Sequence, residues 1–215
     1  MVKLSGDAAE ARLARAWETI LSQDPAGQEI IHVLAQPPVR PSWLADFRPF
    51  SAWLRNDCQA DAGIWRSFAE IAESWPYIIN ARRAAARGIP NVRMIVMRDD
   101  LRESMPPWLR YLSEVHLPAI SALSREKLFR VWAEDCRESG LPVRDYDSNL
   151  FGAAGVMIAG GENGNIEWRA FLEETQDPDQ FRQEHEYVTS MRDLALHHGD
   201  PIALPPALST SRARK

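Results

Sequence analysis

The run Val92-Arg93-Met94-Ile95-Val96-Met97 constrains this chain more than any other stretch. Five of its six residues are apolar, and turn formers close it on both sides: Gly88-Ile89-Pro90-Asn91 before it, Arg98-Asp99-Asp100 after it. A short apolar run bounded in this way reads as a buried parallel strand. Helices must then cover the sheet, which makes the chain an α/β protein. Arg93 is the exception within the run. A charge inside an apolar strand needs a partner, and Asp145 or Asp147 is the expected one.

Helical patterns surround this strand. Residues 7–22 carry Leu13, Ala16, Trp17, Ile20 and Leu21 on one side. Asp24-Pro25 ends that helix or opens a short second one around Ile30, Ile31 and Leu34, and a proline-rich break follows from Gln36 to Pro41. Trp43, Phe47, Phe50, Trp53 and Leu54 have helix-like spacing interrupted by Pro49. Asp61 is a good N-cap for a helix whose stripe is Ile64, Trp65, Phe68, Ile71, Ala72 and Trp75. Pro76 should split it, and Gly88 should end its continuation. A helix carrying Trp108, Leu109, Leu112 and Val115 is expected to stop at Pro118. Another, capped by Ser124, would carry Leu128, Val131, Trp132 and Cys136 and end at Gly140.

A second strand is expected from Val143 to Tyr146. With the first it would form a crossover unit, right-handed by the general rule. Residues 150–159 and 165–173 then read as a hairpin closed by Gly160-Gly161-Glu162-Asn163-Gly164. Asp177-Pro178 opens a final helix that buries Phe181, Val188, Met191 and Ala195, with Gly199 at its end. The expected architecture is a small mixed sheet, a parallel crossover unit plus a C-terminal hairpin, flanked by helices. Residues 1–60 form a helical N-terminal extension, 61–200 the α/β core, and 201–215 a flexible tail.

Composition excludes some function classes. A net charge of -5 argues against a sequence-independent grip on nucleic acid, which needs a cationic surface. Cys58 and Cys136 form no CxxC pair, so neither a disulfide scaffold nor a zinc site is expected. No stretch approaches the ~20 apolar residues of a membrane span, and Met1 to Glu10 lack the apolar run of a signal peptide. Cytoplasm is the expected compartment, and no cofactor is specified.

Catalytic motifs are missing. There is no phosphate loop and no GxSxG elbow. Glu184-His185-Glu186 and His197-His198 lack the i, i+4 spacing of helical metal ligands, so no metal is expected. No catalytic residue is assigned. The site expectation rests on the end of the first strand, where open α/β sheets place ligands. Asp99, Asp100, Asp145, Asp147 and Arg93 would supply polar contacts there, and Trp75 and Trp108 the walls.

Two stretches carry a family resemblance. One is Arg82-Arg83-Ala84-Ala85-Ala86-Arg87-Gly88-Ile89-Pro90-Asn91-Val92-Arg93-Met94-Ile95-Val96. The other runs from Asp145-Tyr146-Asp147-Ser148-Asn149-Leu150-Phe151 through Asp177-Pro178 to Arg192-Asp193-Leu194-Ala195-Leu196 and His198. Over residues 65–200 the chain resembles an uncharacterised bacterial family, common in actinomycetes and often encoded beside helix-turn-helix regulators. That family is distantly similar to the phospholipase-D-type fold. The resemblance implies a helix-flanked sheet and no established activity. The HxKxxxxD motif of phospholipase-D enzymes is absent, since Leu117 and Pro118 follow His116. The expected function is non-catalytic binding of a small ligand or another protein, with a regulatory role. The alternative is an accessory subunit that docks on an enzyme or peptide substrate through the tryptophan-rich segment 43–75.

Overall fold

The computed structural model describes residues 6–37, 39–160 and 167–205. A seven-stranded mixed sheet runs through it in the order β6-β5-β4-β1-β2-β3-β7. β1 (Ile30–Ala35), β2 (Asn91–Met97) and β3 (Lys127–Trp132) are mutually parallel. β4 (Asp147–Phe151), β5 (Gly155–Gly160) and β6 (Glu167–Leu172) form an antiparallel meander that joins the other side of β1. β7 (Asp200–Pro201) pairs antiparallel with β3. Every residue of β2 is buried, as expected of a strand covered on both faces.

Alternation sorts the strands into two faces. Ile31, Val33, Val92, Met94, Val96, Leu150 and Val156 pack under α8 (Pro178–His198), against Val188, Met191 and Ala195. The opposite face lies under α1 (Gly6–Ser22) and α4 (Pro76–Ala86), where Ile30, Phe151, Met157 and Phe171 meet Trp17, Ile20, Ala81 and Ala84. Further along that face, Ile95, Met97 and Leu128 pack under Leu109 and Leu117. The latter belong to α5 (Pro107–Tyr111) and α6 (Leu117–Ser124). An aromatic layer of Phe50, Trp53, Phe68 and Tyr111 ties these helices to α2 (Arg48–Arg55) and α3 (Ala62–Ala72).

Several local expectations are corrected. Ile30, Ile31 and Leu34 are strand, and β1 is a central strand of the sheet; residues 1–60 therefore contribute to the core rather than only extending it. Leu128, Val131 and Trp132 are also strand. Ser124 ends α6 rather than capping a new helix, because Arg125 turns left-handed at φ 59°. Only a short helix, α7 (Ala133–Glu138), follows β3. The expected strand at Val143–Tyr146 begins instead at Asp147 and pairs antiparallel with β1, so the crossovers join β1 to β2 and β2 to β3.

Prolines behave differently from expectation too. Pro49 starts α2 instead of interrupting it. Pro118 does not end its helix. The preceding turn, Leu112–His116, is π-helical, and the Leu117 N–H reaches back five residues to the Leu112 carbonyl. That wider turn gives room to a proline ring that would clash with a regular α-helical carbonyl. The glycine-rich turn 161–164 and residues 206–215 lie outside the described residues. The start of the expected flexible tail is tied down, with Ile202 N–H donating to the Leu128 carbonyl at 3.0 Å.

Candidate functional site

In-register pairing places one polar row across three neighbouring strands. Asn149 on β4 stands opposite His32 on β1, and His32 stands opposite Arg93 on β2. All three belong to the face under α4 and α6, and all are buried. The helices contribute the complement: Tyr77 from the first turn of α4, Ser121 from α6, and Glu126 from the α6–β3 turn.

Glu126 is the carboxylate that Arg93 requires, in place of the expected Asp145 or Asp147. Arg93 Nε donates to Glu126 Oε2 at 2.6 Å, and Arg93 Nη2 donates to Oε1 at 3.2 Å. Asn91 Nδ2 donates to Oε1 at 3.2 Å and Ser121 Oγ to Oε2 at 3.1 Å. Burial alone would raise the Glu126 carboxyl; the Arg93 charge and its hydrogen bonds override that and hold it at about 2.

Tyr77 is the hub. Its oxygen accepts from Arg93 Nη2 at 2.5 Å and lies 2.8 Å from His32 Nε2, while its hydroxyl also meets Glu126. The one phenolic proton thus has two acceptors. On the far side of the imidazole, His32 Nδ1 lies 2.8 Å from Asn149 Oδ1. Burial, then Arg93, lowers His32 to about 4, so the ring is neutral at physiological pH. Burial also drives the Tyr77 hydroxyl well above 10. Tyrosine, imidazole and amide form a relay in outline. Each of its polar ends, however, already has a partner within the network.

His116 closes this layer from above. The π-turn delivers its ring into a box of Trp43, Phe47, Phe68, Trp75 and Tyr111, with centroids between 5.1 and 6.4 Å away. The residue is 8% exposed, yet Nδ1 is sealed without a hydrogen-bond partner. Burial, then Arg93, pushes His116 down to about 3. Asp147 stands at the rim, at the start of β4, where its Oδ1 accepts from Ala35 N–H at 2.7 Å. Burial raises its carboxyl to about 6 despite that bond and Arg93.

The structure brings Arg93, Asp147 and Trp75 to this region, sets Trp108 beside it in the clusters that hold Tyr111 and Leu117, and leaves Asp99, Asp100 and Asp145 elsewhere. Asp99 pairs with Arg137 at 2.6 Å and accepts from Glu134 N–H; Asp100 pairs with Arg98 at 2.7 Å. Asp145 is exposed, and Trp108 packs among the α2, α3 and α5 side chains. Asp99, Asp100 and Asp147 therefore serve separate partners rather than one acidic rim. Glu184 and His185 diverge along α8: Glu184 meets Arg144, Tyr146 and Ser148 under the sheet. His185 instead lines a separate cleft of about 370 Å³ with Glu29, Glu174 and Phe181. Among the described residues no group of three or more His, Cys, Asp or Glu is placed to hold a metal ion. No helix among them is long and apolar enough to cross a membrane.

Sequence reasoning missed His32, Tyr77, Glu126 and the setting of His116. One signal was present: His32 interrupts the apolar run Ile30–Ala35 just as Arg93 interrupts its own. Comparison with family models, with curated proteins and with solved structures returned no match for this chain.

Proposed function

We propose that this chain is a non-catalytic binder of a small molecule. Its ligand would sit over the buried Arg93 layer, beside His116 and the π-turn. The observation that carries this reading is the His116 ring. It is buried in an aromatic box with a sealed, unpartnered Nδ1, and such groups are uncommon because they forgo hydrogen bonding to water. A π-turn in mid-helix adds weight, since such turns recur at functional sites.

The mutual engagement of the polar row supports binding over chemistry by its own side chains. Tyr77, His32 and Glu126 are engaged with one another, with Arg93 and with Asn149.

Thermal-shift screening of the full chain with neutral, anionic and cationic small metabolites tests the reading. At least one class should raise the melting temperature, and Trp43→Leu should abolish the rise while keeping the native circular dichroism. If no class stabilises the protein, or if the rise survives in Trp43→Leu, this site is not the binding site.

A further inference from the structure

We infer that the cleft beside α8 is a second binding site, separate from the His116 box, and that it takes a small zwitterion of the free amino-acid type with an apolar side chain.

The cleft opens where β1 begins and β4 ends, against the first turns of α8. Glu29 and Gly152 flank the Ile30–Phe151 register pair, and the Gly152 N–H ties the two segments by donating to the Glu29 carbonyl at 2.9 Å. From the helix come Phe181, Arg182 and His185, and from the turn after β6 comes Glu174. Its volume of about 370 Å³ falls within the usual range of ligand pockets, ~300–1,000 Å³, at the small end that suits a small metabolite. Leu150 and Phe181 are buried core residues, so they give the cleft an apolar wall.

The polar lining divides into one committed group and three that are available. Glu29 is committed, since both of its oxygens accept from Arg192 Nη1. Arg192 lies two turns beyond His185 on the same side of α8, which holds that carboxylate in place. Glu174 and His185 line the cleft without a hydrogen bond or ion pair among the described residues. Arg182 approaches only Asp179, at 3.7 Å, in a pair open to water. Such exposed pairs contribute little, so the guanidinium is free to turn to a ligand.

The available charges are therefore one carboxylate and one guanidinium. A purely anionic ligand pairs with Arg182 but is set beside Glu174. A purely cationic one pairs with Glu174 but is set beside Arg182. Like-charge juxtaposition disfavours both. A molecule carrying an ammonium and a carboxylate pairs each with its opposite and rests its side chain on Leu150 and Phe181. The His185 ring, with one nitrogen that donates and one that accepts, can serve either end of it.

Isothermal titration calorimetry on the full chain tests this with leucine and phenylalanine, and with two analogues that each lack one charge of leucine: isocaproate, without the ammonium, and isoamylamine, without the carboxylate. At least one of the amino acids should bind with Kd below about 1 mM, and each analogue about tenfold more weakly than leucine or not at all. Glu174→Gln and Arg182→Gln, both at exposed positions, should each weaken the amino acid about tenfold with unchanged circular dichroism. Trp43→Leu should leave this binding intact, which separates it from the His116 site. Silence from both amino acids, or an analogue that binds as tightly as leucine, would overturn the ligand class. Amino-acid binding that survives in both cleft variants, or that is lost in Trp43→Leu, would place the ligand outside the cleft and overturn the inference.

Discussion

Arg93 and Glu126 form a buried ion pair in the layer beneath α4 and α6, and this makes them unequal to ordinary surface pairs. Glu126→Ala leaves a guanidinium buried with the Tyr77 hydroxyl as its remaining partner. We expect a loss of about 3–5 kcal/mol in urea unfolding. The double variant Arg93→Met, Glu126→Leu should lose less than Glu126→Ala alone, because no uncompensated charge remains. Equal losses would mean that the pair acts through packing rather than charge. His116 predicts the opposite sign. His116→Phe fills the aromatic box without an unpartnered ring nitrogen, so thermal unfolding should show a gain of about 1 kcal/mol. The same substitution should remove the ligand response. A residue that costs stability and is needed for binding is the pattern expected at a functional site.

Backbone geometry governs the elements as firmly as side chains do. Gly155 opens β5 at φ 146°, and a Cβ there would lie 2.6 Å from both the Leu172 carbonyl and the Phe171 ring. The Leu172 carbonyl cannot retreat without disturbing the β5–β6 pairing. Gly155→Ala should therefore cost about 3 kcal/mol, read as a fall of about 10 °C in Tm. Elements with a single clear signature were legible from sequence. β2 has turns on both sides, α3 has an Asp61 cap that accepts from Ile64 N–H at 2.9 Å, and α8 opens on Asp177-Pro178. β1 and β3 were not legible, because Ile30, Ile31 and Leu34, like Leu128, Val131 and Trp132, satisfy i, i+3 or i+4 spacing as well as a buried strand does. Misreading β1 also hid His32, and with it the row that assembles the site. Arg93 announced its need for a carboxylate, but the partner lies 33 residues away, beyond α5, the π-turn and α6, and only the tertiary fold names it. The π-turn had no usable sequence mark, since Pro118 signals a break as readily as a widened turn.

The buried polar layer should also govern how the whole molecule responds to acid. His32 falls from 6.5 to about 4 and His116 from 6.5 to about 3 on folding. Both rings stay neutral in the native state while the unfolded chain protonates them below about pH 6.5, so each removes stability as the pH drops. Asp147 works the other way. Its carboxyl rises from 3.8 to about 6, so the native state holds a proton that the unfolded chain has released. It costs stability above pH 6 and restores it as the pH falls toward 4. Two histidines against one aspartate leave a net uptake of about one proton on unfolding between pH 6 and 4. Stability should therefore fall by about 1.4 kcal/mol per pH unit over that window, and Glu126 adds to the loss below about 4.5, where its unfolded carboxyl protonates. Asp147→Asn removes the counterweight: it should raise stability at pH 8 and about double the acid slope. Urea midpoints measured across pH 4–8 on both proteins decide the matter. A flat profile in the wild type, or an unchanged slope in Asp147→Asn, would mean that these three groups are not neutralised by the fold.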